Sequence, residues 1–123
     1  MNGIINNITQ KAKDNTFFRQ VLVTGPNTQI VIMSINPGGE IGEEVHENND
    51  QVLYLVEGQG KVVIDGVAED FNPGDIVLVK KGTRHNFLSS KDMGMKIITM
   101  YSPPHHPEGT IHKTKEEADK AEY

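Results

Sequence analysis

Four polar side chains, Glu44, His46, Gln51 and His85, are of the types that hold a divalent cation. Glu44 and His46 are two residues apart, and on a strand that spacing puts both on one face. Gln51 follows the polar stretch 47–50 and opens the next apolar run. A loop of that length folds one strand back beside the other and brings Gln51 to His46. His85 arrives from far along the chain, at the start of another strand. The set combines one carboxylate, one neutral amide and two imidazoles, so a divalent ion keeps a formal charge of plus one. Its oxygen content tilts the choice toward Mn or Fe rather than Cu, with Zn and Ni open. Taken singly, a histidine of this kind lines a cavity, and Glu44 or Gln51 is a solvated rim residue. Four in register point instead to one divalent metal ion bound by Glu44, His46, Gln51 and His85.

Such a cup needs strands that present alternate residues to one interior. Residues 17–24 and 29–35 are β-rich and are separated by the turn cluster Gly25-Pro26-Asn27-Thr28. In 29–35 both faces are largely apolar: Val31, Met33 and Ile35 on one, Ile30 and Ile32 on the other. One face suits a barrel interior, and the other needs a second sheet or a second subunit, which predicts a homodimer. Residues 40–46 form the ligand strand. The run 51–57 again alternates two apolar faces, Leu53 and Leu55 with Gln51, and Val52, Tyr54 and Val56 opposite. The dipeptide Asp65-Gly66 between apolar runs is a hairpin signal that favours positive φ at both residues. The continuous run 76–79 predicts a strand buried on both sides. His85 then shares a face with Phe87 and Ser89, and 95–101 is the last barrel strand. Many short strands with regular turn signals predict an all-β sandwich or barrel.

The spacing resembles the cupin superfamily. Its first motif, G-x5-H-x-H-x3or4-E-x6-G, is matched by Gly38-x5-Glu44-x-His46-x4-Gln51-x6-Gly58. Its second, G-x5-P-x-G-x2-H-x3-N, is matched by Gly74-x5-Lys80-x-Gly82-x2-His85-x3-Ser89. Every glycine and two of the three histidines are in place. Glu44 replaces the first histidine, Gln51 the glutamate, Lys80 the proline and Ser89 the asparagine. The resemblance implies a cupin double-stranded β-helix, a jelly-roll barrel, over residues 17–102. It is preceded by an N-terminal segment 1–16 and followed by a tail, 103–123, that contains proline and histidine. The Tyr101-Ser102-Pro103-Pro104 stretch resembles small single-domain cupins described as mannose-6-phosphate isomerase-like.

The N-terminal segment reads as a short helix or an edge strand, because Ile4, Ile5, Ile8 and Ala12 make one weak helical face. In the tail, Pro103, Pro104 and Pro107 favour an extended, ordered loop. Thr114 with Glu117 three residues on is a capping-box pattern that predicts a short C-terminal helix. The tail's charges predict a solvated surface piece. On that reading His105, His106 and His112 lie on a surface loop; the alternative is that one of them closes over the barrel mouth as acid, base or fifth ligand.

The chain has 123 residues, no cysteine and a formal net charge of −5. One domain, no disulfide and no thiolate ligand follow. The acidic balance argues against nucleic acid, whose binding needs a positive footprint. No apolar run approaches the ~20 residues of a membrane span, and no signal pattern opens the chain, so a soluble cytoplasmic protein is expected. A metal with open coordination positions polarises a bound carbonyl or hydroxyl. The expected function is therefore a metalloenzyme on a small oxygenated substrate, a sugar or sugar phosphate undergoing isomerisation, with a dioxygenase or a non-catalytic small-molecule-binding cupin as alternatives. Lys80, Lys81 and Arg84 flank His85 as candidate phosphate contacts, and Glu43, Glu57 or a tail histidine as the base.

Overall fold

Alternation in the apolar runs produces strands with one buried face, and the turn residues between them set their order. The computed structural model describes residues 3–121, so residues 1, 2, 122 and 123 of the expected terminal segments lie outside it. In chain order the elements are α1 (Ile8–Asp14), β1 (Arg19–Thr24), β2 (Gln29–Ile35), β3 (Glu44–Val45), β4 (Asp50–Gly58), β5 (Gly60–Ile64) and β6 (Val67–Phe71). They continue with β7 (Ile76–Val79), β8 (Arg84–Ser89), β9 (Met95–Ser102), β10 (Ile111–His112) and α2 (Lys115–Asp119). One sheet has the order β10-β1-β2-β9-β4-β7 and the other β3-β8-β5-β6. The named strand pairs are antiparallel. The protein is the all-β jelly roll expected, with a short C-terminal helix.

The core lies between the two sheets. Val31, Met33, Leu53, Leu55 and Ile97 from the larger sheet meet Val62, Phe71 and Phe87 from the smaller one. The β5–β6 hairpin turns on Asp65 and Gly66, at φ 50° and 82°. Gly58 ends β4 at φ 109°, where an added Cβ would run into the Gly94 carbonyl oxygen. Only glycine lets the two backbones approach so closely there.

Three expectations are corrected. The ligand strand is shorter than 40–46: β3 is two residues long, preceded by a single bridge from Glu40 to Leu88. The backbone N–H of Gly42 donates to Asn86 Oδ1 at 2.9 Å, so a side chain takes the place of a ladder partner. Second, β7 is not buried on both sides. It is an edge strand, and Ile76 and Leu78 are 64% and 56% exposed on its outer side. A continuous apolar run cannot by itself distinguish a central strand from an edge. Third, part of the outer apolar face attributed to a subunit contact is covered from within the chain. Ile32 and Ile98 pack with Ala12 of α1, and Ile8, Leu22, Tyr54 and Val56 surround them.

Candidate metal centre

The strand register assembles the site. Glu44 on β3 lies opposite His85 on β8, and Gln51 on β4 lies opposite Tyr101 on β9. His46 follows β3, its carbonyl oxygen held by the Gly82 N–H at 2.8 Å. All of these but Glu44 are buried, with Gln51 only 2% exposed. The tail then returns over this end of the barrel. Buried Gln29 clamps it: Gln29 Oε1 accepts from the N–H groups of His105 and His106 at 3.1 and 3.0 Å, and Nε2 donates to the His106 carbonyl at 2.7 Å. Asn49 Nδ2 adds a donor bond to the Pro103 carbonyl. Farther on, β10 pairs with β1 and sets His112 beside Arg19.

Glu44, His46 and His105 present donor atoms that all lie within 4.8 Å of one another, a group that could hold a metal ion. His46 Nε2 is 3.8 Å from Glu44 Oε2. Two ligands at ~2.1 Å from a shared ion stand roughly 3–4 Å apart, so the spacing is that of co-ligands. His85 stands outside this triplet, its ring centroid 5.1 Å from that of His46. Its Nδ1 is 2.8 Å from the Thr83 carbonyl. A carbonyl only accepts, so Nδ1 carries the proton and the Nε2 lone pair is left available. Gln51 Nε2 donates to Thr99 Oγ1 at 3.0 Å, and the side chain lies close enough to His46 to influence its ionisation.

Two buried polar atoms test whether these residues suit a cation. His46 Nε2 and Gln51 Oε1 are both enclosed and neither makes a hydrogen bond of good geometry, although the Gln51 side chain acts on His46 as a hydrogen-bond partner and raises its pKa. Each such poorly bonded atom costs roughly 1–3 kcal/mol unless something electropositive meets it. Burial, and then the electrostatic influence of His85, hold the His46 pKa down to about 4. His105 is pushed down by burial and then by His46. Both imidazoles are therefore neutral near pH 7 with lone pairs to give. Burial raises the Glu44 pKa, opposed by Arg19 first among the nearby cations. A desolvated carboxylate among neutral imidazoles, with two poorly bonded buried polar atoms beside it, fits a divalent cation.

The tail histidines are not a surface loop. His106 and His112 are buried, burial lowers His106 to about 2, and His105 reaches the cup. The barrel-mouth alternative describes them better; the charged residues that marked the tail as solvated sit mostly beyond His112. Arg19 is the residue that sequence reasoning passed over. It is 6% exposed and lines a cavity of about 250 Å³ with Glu43, Glu44, His105, His106, His112 and Lys115. A lone arginine at a strand start gives no pattern to find it by. Lys80, Lys81 and Arg84 do not line this cavity; Arg84 pairs with Glu43 at 2.8 Å. Glu57 lies at the opposite end of β4, paired in register with Lys96.

Among the described residues, no helix is long and apolar enough to cross a membrane. Comparison with known proteins agrees with the fold. The chain is 36% identical over 122 residues to the uncharacterised Bacillus subtilis protein YrkC, a match covering 94% of this chain and 66% of that one. It thus spans about two thirds of that relative's length. The crystal structure of BH2720 from Bacillus halodurans superposes with a TM-score of 0.94 at 35% identity, over 98% of this chain and 96% of that one. A shorter similarity, 31% over 64 residues, covers 48% of this chain and 36% of the acireductone dioxygenase of Bacillus licheniformis. The family model for the Cupin domain matches residues 31–101, more than half the chain and the whole span from the inner strands to Tyr101. With that match laid over a jelly roll whose motif residues meet at one end, this chain belongs to the cupin family.

Proposed function

We propose that this cupin is a metal-dependent enzyme acting on a small oxygenated molecule. The ion would be held by Glu44, His46 and His105, with His85 Nε2 and Gln51 Oε1 as the flanking donors. The observation that carries this is the pair of buried polar atoms, His46 Nε2 and Gln51 Oε1, that make no hydrogen bond of good geometry, beside a carboxylate 3.8 Å from the first. When bound, a divalent ion supplies Lewis-acid polarisation of a carbonyl or hydroxyl oxygen. The chain's own residues do the rest. Thr83 fixes the His85 tautomer, Thr99 orients the Gln51 amide, and Gln29 holds the His105 backbone at the mouth. Tyr101 is fully buried with its pKa raised by that burial, so it remains a phenol against the His46 and His105 rings.

A specific observation favours an oxygen-dependent variant of this chemistry: the similarity to acireductone dioxygenase. A sugar-phosphate isomerase has less support, because the cations proposed for its phosphate do not line the cavity. The test is a turnover screen on protein loaded separately with Mn, Fe, Ni or Zn. It covers oxygen uptake and aldose–ketose exchange, with His46→Ala as control. Metal-dependent turnover lost in His46→Ala is expected. Tight substrate binding with no turnover under any metal would make the chain a binding module instead.

A further inference from the structure

Arg19 is a buried cation without a carboxylate partner. Among the described residues, no Asp or Glu oxygen forms an ion pair with it. Its Nη1 lies 3.1 Å from His112 Nδ1, and because a guanidinium only donates, the imidazole accepts. Its Nε is enclosed and has no hydrogen-bond partner. The Glu44 carboxylate on the same cavity wall feels this charge without pairing with it, and a buried charge so incompletely answered is costly. The other cation on the cavity wall is already committed, since Lys115 Nζ binds Asp119 at 2.8 and 3.0 Å. On the same wall stand Glu44 and His105 of the metal centre.

We propose that Arg19 is the anion-binding end of this cavity, which takes a small 2-oxo or 2-hydroxy carboxylic acid. Its carboxylate lies on the guanidinium and its adjacent oxygen faces Glu44 and His105. The proposal deepens the metalloenzyme reading by naming the substrate class. Three observations select a carboxylate. One guanidinium bonded to His112 and Tyr101 but to no carboxylate matches one negative charge, whereas a phosphate dianion calls for more. The planar fork of arginine suits a planar carboxylate. The cavity's 250 Å³ is the volume of roughly eight waters, enough for an acid of a few carbons and small for a larger ligand.

The test is calorimetric titration of the full chain, both stripped by chelator and loaded with Mn²⁺, with pyruvate, its neutral analogue pyruvamide, and inorganic phosphate. The stripped form matters because pyruvate could also bind the metal directly. Pyruvate is expected to bind about tenfold or more tightly than pyruvamide or phosphate in both forms. Arg19→Lys should narrow that preference and Arg19→Met abolish it, with Mn²⁺ uptake of Arg19→Lys unchanged. Should Arg19→Met not fold, the native protein and Arg19→Lys decide. Equal binding of pyruvate and pyruvamide to the stripped chain, or a preference untouched in Arg19→Lys, overturns the proposal. Phosphate binding tighter than pyruvate overturns the carboxylate assignment. A chain that takes up no metal yet keeps an Arg19-dependent preference upholds this inference and sinks the metalloenzyme reading. Metal uptake without that preference does the reverse.

Discussion

Gln51→Glu separates a metal ligand from a structural amide, because its effect should change sign with the metal. Gln51 is 2% exposed and its Oε1 makes no hydrogen bond of good geometry. Without metal, the substitution puts a carboxyl group in that enclosed place, near the carboxylate of Glu44. Burial and a like charge both raise its pKa. Its unfolded value is about 4.3, so at pH 7 the cost is about 1.4 kcal/mol for each unit by which the folded value is raised. The cost cannot exceed ~4 kcal/mol at that pH, because a more strongly raised group simply takes up a proton. A raised carboxyl pKa destabilises only above the unfolded value, so the loss vanishes near pH 4. There the protonated acid is close in shape to the amide, and the Thr99 hydroxyl can still bond it. For a domain of this size, 3 kcal/mol corresponds to a fall in Tm of roughly 10 °C. With metal bound, the second carboxylate cancels the remaining positive charge, so affinity should rise and become more pH-dependent. The assay is thermal melting of native and variant protein, stripped and loaded, from pH 4 to 8. Equal shifts in stripped and loaded protein at every pH would remove Gln51 from the metal shell.

The buried imidazoles predict an acid limit for the stripped protein. The folded values of His46, about 4, and His106, about 2, lie below the ordinary 6.5. Stability should be complete above pH 6.5 and fall as pH drops below it, by up to ~1.4 kcal/mol per pH unit for each group. Urea melts that are flat between pH 7 and 4.5 would contradict the buried neutral state. Thr114 Oγ1 accepts from the Glu117 N–H at 3.1 Å, so Thr114→Ala should cost about 1 kcal/mol and Thr114→Ser much less, read by melting temperature. Gly58→Ala forces a Cβ against the Gly94 carbonyl at a positive φ; a loss of about 3 kcal/mol or more is expected, and a neutral outcome would show that the strand crossing is not rigid. On the outer face of β7, Leu78 lies opposite Val52 and Ile76 opposite Tyr54. For this apolar edge we propose a second copy of the chain, since an open strand edge invites isologous pairing. Light scattering should give a dimer that Leu78→Asp dissociates; a monomer at high concentration removes the idea.

The inner faces were legible because period-two alternation is a local property: β2 runs from Gln29 to Ile35 as its pattern predicts, and Asp65-Gly66 makes its turn. Motif spacing also led to the right end of the barrel, where Glu44 and His85 lie opposite each other. What depended on tertiary context was not legible. Ile76 and Leu78 look like core residues until β7 proves to be an edge. His105 reaches the site because Gln29 and Asn49, far back in the chain, hold its loop. Arg19 gains its place through pairing with His112, a contact that no spacing rule encodes.

The central claim is that buried donors at one end of this barrel hold a single divalent ion. Metal content after loading and desalting, measured by elemental mass spectrometry on native protein, His46→Ala and His105→Ala, tests it most directly. About one ion per native chain is expected. Near-complete loss in His46→Ala and clear weakening in His105→Ala are expected, with all three folded by circular dichroism. A native chain that retains no Mn, Fe, Ni or Zn, or a His46→Ala variant that retains as much as native, would contradict it.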